Sequence, residues 1–206
     1  MTLSESASEF ETTAGPEPRP GPPDRPGRHL PGDIDMWVMV LGDLLFFGGY
    51  FVVYMVFRAF APEEFATAQQ HLHMGIGVTN TVVLLTSSMF VALAVIDTRR
   101  QAFASAQRYI LAAAGCGLLF TALKAYEWHQ EITGGHTLSD EFFSFYYILT
   151  GVHLVHVLLG VVILGIVYRE LRNPAGRRIS IAEQGALFWH MVDLLWVVIF
   201  AILYLM

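Results

Sequence analysis

FFSFYYILTGVHLVHVLLGVVILGIVY, Phe142 to Tyr168, is the stretch that decides the fold. No Asp, Glu, Lys or Arg interrupts it. At 1.5 Å rise per residue, a helix of this length outruns the ~30 Å of hydrocarbon in a bilayer. At that depth every backbone N–H and C=O must be bonded within the segment, so helix is the state available to it. His153 and His156 lie in its middle, three residues apart and so on one face. Ionisable side chains at mid-membrane are costly; they face the inside of a bundle or a hydrated path and call for a partner.

Working outward, four more stretches of similar character appear, at about 36–57, 75–96, 105–128 and 182–206, with the central one at about 142–168. Of the 206 residues, 54% are hydrophobic and only 15% charged, where a water-soluble domain carries about 25% charge. The reading is an all-α, polytopic bundle of five transmembrane helices spanning 34–206. Residues 1–33 read differently. Pro16, Pro18, Pro20, Pro22, Pro23, Pro26 and Pro31 fall there among glycines and acids, a composition that predicts a disordered tail. Its acidic start, with Glu5, Glu9 and Glu11, and the lack of an apolar run argue against a signal peptide. Arg19, Arg25, Arg28, Arg99, Arg100, Arg108, Arg169, Arg172, Arg177 and Arg178 all fall on one side of a five-span chain, against Arg58 and Lys124 towards the other. The positive-inside rule then predicts a cytoplasmic N-terminus and an outside C-terminus. The lone Cys116 lies in an apolar run and reads as a packing residue. No basic patch suggests nucleic acid, and the net charge of -6 names no partner.

Five polar residues at membrane depth are the candidate functional groups: Asp43, His153, His156, His190 and Asp193. From the cytoplasmic helix ends, His156 lies roughly 18 Å along its axis, Asp193 roughly 16 Å and Asp43 roughly 10 Å. They are therefore expected to share the cytoplasmic half, with His153 a little further out. His190 and Asp193 also share a face, and a short basic loop between the fourth and fifth spans would let that face meet the two histidines. Three uses are open: a metal site, proton movement, or His–Asp hydrogen bonds pinning helix to helix. The last is the default. Lys124 and Glu127, three apart, read as an ion pair at the outer rim. His71, His73, His129 and His136 read as loop residues, and Trp37, Trp128 and Tyr204 as interfacial anchors. No phosphate-cradling glycine loop or haem-attachment motif is present, so no catalytic, cofactor-binding or metal-binding residue is assigned, and no small-molecule substrate.

The motifs resemble subunit III of the haem–copper oxidases. LGDLLFFGGYFVVY (Leu41–Tyr54) resembles that family's acidic, Phe-rich helix, and GLLFTALKAYEW (Gly117–Trp128) its Glu-containing helix end. FFSFYYILTGVHLVHVLLG (Phe142–Gly160) is similar to its Thr-Gly-x-His-x-x-His-Val block, and FWHMVDLLWVVIFAILYL (Phe188–Leu205) to its C-terminal Trp-His-x-Val-Asp-x-x-Trp signature. Asn80, Ser87 and Ser88 complete the set. The likeness covers roughly Leu30 to Met206. It departs at Asp43, where longer, seven-helix members carry Glu, and in lacking their first two helices. The resemblance implies a non-catalytic membrane subunit packed beside a catalytic, haem-containing subunit. Haem and copper or iron would belong to that partner, and structural lipids would bind. LPGDIDMW (Leu30–Trp37), YMVFRAFAPEEF (Tyr54–Phe65) and VTNTVVLLTSSMFVALAV (Val78–Val95) further resemble the NorE branch, the subunit-III-like proteins encoded with bacterial nitric oxide reductases. The alternatives are a subunit of an oxygen-reducing cytochrome c or quinol oxidase, and a stand-alone proton or ion transporter using Asp43, His156 and Asp193.

Overall fold

A computed structural model describes residues 34–70, 72–135, 141–173 and 179–206. The tail expected over 1–33, together with His71 and His136, lies outside the described residues. Within them the chain is helical: α1 (Ile34–Phe60), α2 (Pro62–Gln69), α3 (Met74–Arg99), α4 (Phe103–Thr133), α5 (Glu141–Arg172) and α6 (Ile179–Phe200). Five of these, all but α2, are long and apolar enough to cross a membrane. They coincide with the five expected spans and extend beyond nearly all of their ends.

The extensions have local causes. α4 runs on past Trp128 because Glu127 and Glu131, one turn apart, keep the same side of the helix buried. His129, expected in a loop, is instead an exposed residue on that last stretch of α4. The connection after α1 was expected to be irregular and forms α2. Pro62 occupies its start, where a missing N–H costs nothing, and Glu63 and Glu64 sit in its first turn against the helix dipole. Phe65 anchors it, edge-on to Tyr54 at 5.6 Å and to Phe142 at 5.7 Å.

α3, α4, α5 and α6 form a ring. α3 and α5 each pack on α4 and on α6. α6 is the most deeply embedded, and its Trp189 is the wedge between α4 and α5. A Cβ on Gly117 of α4 would stand 2.7 Å from the Trp189 ring, and one on Gly160 of α5 would stand 2.8 Å from it. Both helices therefore need glycine where the indole sits. After Phe200 the last turn widens to a π-helix, Ala201–Leu205, closed by the Met206 N–H on the Ala201 carbonyl at 3.2 Å. This turn carries Ile202, Leu203 and Tyr204 into the interior.

α1 lies outside the ring. Its buried positions, Val40, Phe47 and Tyr54, recur every seven residues, a single narrow seam. That seam meets α5 through rings: Phe47 on His156 at 5.5 Å, and Tyr50, Tyr54 and Phe57 on Phe145 at 5.2 to 5.8 Å. The rest of α1, including Val38, Leu41, Leu45 and Phe46, is exposed and apolar. A bilayer tolerates such a surface where water would not.

Candidate functional site

The polar residues fall into separate groups. The most buried is built on Lys124 of α4. Its ammonium donates to Glu127 Oε2 at 2.8 Å, to the Tyr146 hydroxyl of α5 at 3.1 Å and to the Tyr204 hydroxyl of the π-turn at 2.9 Å. Tyr204 donates in turn to Glu127 Oε1 at 2.5 Å. An ammonium has three protons, and here all three are used. Lys124 and Glu127 are fully buried. Their pairing matches the expectation, but the rim does not: the C-terminal turn and α5 fold over the pair and remove it from solvent. The nitrogen also stands 4.6 Å from the Tyr146 ring centre and 5.1 Å from that of Trp196, positions that favour a cation. Tyr204, expected as an interfacial anchor, closes this network because the π-turn rotates it inward.

A second group joins α1 to α5. His156 Nδ1 lies 2.8 Å from the Val152 carbonyl, which accepts, so that nitrogen carries a proton. His156 Nε2 lies 3.5 Å from Asp43 Oδ1. Both side chains are partly open, at 19% and 25% exposure, on the flank where α1 meets α5.

The third group joins α6 to α3. Ser88 Oγ is 2.7 Å from His190 Nδ1, and Asp193 lies near both. Asp193 Oδ1 keeps no protein partner.

The expected gathering of five residues is thus divided. Asp43 and His156 meet, and His190 meets Ser88 with Asp193 close by. The expected contact of the α6 pair with His153 and His156 is absent, because α6 turns that face to α3. His153 is fully buried in aromatic surroundings, edge-on to Phe120 at 5.7 Å and tilted against Trp196 at 5.3 Å. Among the described residues no three His, Cys, Asp or Glu side chains converge to hold a metal ion. Ser88, Tyr146 and Tyr204 are the members that sequence reading missed. The pattern Ser88-to-His190 had no signal, since serines in spans commonly bond their own helix. Tyr204 had one in retrospect: it lies two positions from the end of an otherwise apolar helix whose register places it level with Lys124.

Each arrangement joins side chains from two or three elements. Comparison with known proteins places the architecture. Residues 33–206 match the family model described as cytochrome c oxidase subunit III. The chain is 25% identical over 178 residues to the cytochrome c oxidase subunit 3 of Thermostichus vulcanus, covering 84% of this chain and 86% of that one. With the subunit 3 of a Synechocystis strain the identity is 29% over 191 residues, covering 90% and 81%. A fused haem–copper oxidase subunit I+III of Aeropyrum pernix is 27% identical over 179 residues, 82% of this chain and 22% of that longer protein.

Proposed function

The chain belongs to the cytochrome c oxidase subunit III family, and from that premise we propose that it is the non-catalytic subunit III of a haem–copper-type respiratory complex, a multi-pass protein of the plasma membrane. Its work is to hold the assembly together and to shape lipid and proton access beside a catalytic, haem-containing subunit. The observation that carries this is the use of the intramembrane polar groups. Lys124, Glu127, Tyr146 and Tyr204 spend their hydrogen bonds on one another, and Ser88 bonds His190 across two helices, as suits a structural subunit. The relative whose name joins subunits I and III in one chain supports the partnership.

Asp43, His153, His156, His190 and Asp193 serve in this reading as helix-to-helix fastenings, and Lys124 with Glu127 as the lock on the C-terminal turn. Haem and copper or iron belong to the partner, and lipid covers the exposed flank of α1. The N-terminus is cytoplasmic, as the distribution of arginines supports; reporter fusions at the two ends test it.

Two finer readings differ in the gas reduced. The wording of the motifs Leu30–Trp37, Tyr54–Phe65 and Val78–Val95 supports a NorE-like place beside a nitric oxide reductase. Relatives named as cytochrome c oxidase subunit 3 favour oxygen. The test is purification of the tagged chain from its own membranes in mild detergent. The account expects haem absorbance to co-purify, with turnover of oxygen or nitric oxide deciding between the two readings. A colourless preparation that conducts protons in liposomes would replace both with a transporter.

A further inference from the structure

One layer of the four-helix ring contains polar groups that the protein itself does not satisfy. His153 of α5 stands between Phe120 of α4 and Trp196 of α6, all three fully buried. Trp196 Nε1 donates to Thr81 Oγ1 of α3 at 3.0 Å, which brings α3 to the same level. Asn80, beside Thr81, belongs to the buried face of α3 with Gly77, Leu84 and Ser87. Ser87 donates to the Ala113 carbonyl of α4 at 2.9 Å. Two turns from that contact, in the antiparallel register of the two helices, Asn80 comes level with Phe120. The layer therefore takes one residue from each helix: Asn80, Phe120, His153 and Trp196.

Asn80 and His153 are both 0% exposed. Neither Asn80 Oδ1 nor Nδ2, nor either ring nitrogen of His153, has a protein hydrogen-bond partner. Those atoms include at least one acceptor and two kinds of donor, in a medium that penalises leaving them unmade. The nearest charged group does not serve them, because the three protons of Lys124 are already committed. α3 and α5 sit diagonally in the ring, so the two residues come from opposite helices of this layer.

We propose that Asn80 and His153 form a binding site for internal water, which completes their hydrogen bonds and ties α3 to α5 across the ring. The chemistry selects water over an ion. Both side chains are neutral when they act as acceptors, no three His, Cys, Asp or Glu side chains converge to hold a metal among the described residues, and the neighbouring Lys124 charge is matched by Glu127. An internal water takes two to four polar partners, and this pair offers that many. The two aromatic walls set where the water lies, beside the contact of Phe120 and Trp196 at 4.7 Å. The water connects helices that otherwise touch only through α4 and α6, and so stiffens the ring without a direct side-chain bond.

The test is water-edited solid-state NMR on the full chain in lipid bilayers, with 15N-labelled histidine and asparagine. The expected result is rapid magnetisation transfer from water to the His153 ring and to the Asn80 amide. In Asn80→Leu the transfer at His153 should fall by at least about half, as the shared site loses one wall of donors. No transfer at either residue in the unsubstituted chain would overturn the proposal. Transfer at His153 unchanged by Asn80→Leu would overturn the shared site. The first measurement needs no variant, so a folding defect in Asn80→Leu does not shield the proposal.

Discussion

Two pairs of ionisable side chains lie within this bundle, and they are built in opposite ways. Lys124 and Glu127 are both 0% exposed, and every proton of the ammonium has an acceptor. Asp43 and His156 sit at 3.5 Å on the flank of the ring, each about a fifth to a quarter open. The first pair is buried by two tyrosines from separate elements, Tyr146 on α5 and Tyr204 in the π-turn. The second is buried by α1, which meets α5 only along a narrow seam. A charge pair sealed on all sides can be broken only at large cost. One left half-open can be relieved by whatever covers that flank.

The difference sets an order of expected effects. Lys124→Met leaves Glu127 buried and unpaired, a loss of about 3–5 kcal/mol for breaking such a pair. It should abolish or sharply reduce the amount of folded protein recovered from membranes. Lys124→Met combined with Glu127→Leu should recover much of that loss, since an apolar pair of similar volume replaces both charges. Tyr204→Phe removes one donor to Glu127 and one acceptor for Lys124, and should lower stability by about 1.5–3 kcal/mol, the range for a hydrogen bond to a charged group. Thermal unfolding in detergent would register it. Gly160→Ala drives a methyl to within 2.8 Å of the Trp189 ring and should cost about 1–3 kcal/mol by overpacking. Asp43→Asn should fall within about 1 kcal/mol, as partly exposed pairs do. A drop for Asp43→Asn as large as that for Lys124→Met would erase the contrast between the two sites.

The five spans were legible because uninterrupted apolar length admits one backbone solution in a bilayer. The short helix α2 was not, although Pro62 and two acids marked its start, because its one anchoring residue, Phe65, needs partners far along the chain. At the sites, sequence spacing located Lys124 with Glu127 and His190 with Asp193, since three-residue intervals on a helix are local facts. It misjudged what these pairs face. Helix rotation about its own axis decides that His190 and Asp193 turn to Ser88 instead of His156, and rotation follows from packing: Trp189 seats itself against Gly117 and Gly160. Tyr204 was misplaced for a related reason. It sits in the π-turn, which buries it, and nothing in an apolar run announces a five-residue turn.

The central claim is that the polar groups of this chain hold the bundle while the chemistry belongs to its partner. Asp193→Asn tests it most directly, because the substitution removes the charge and keeps the shape. The measurement is the yield and thermal stability of the haem-containing complex alongside turnover per assembled haem. The account predicts lower yield or stability with turnover per haem close to that of the unsubstituted complex. Full assembly with turnover per haem collapsed would contradict it and place Asp193 on the path of the protons.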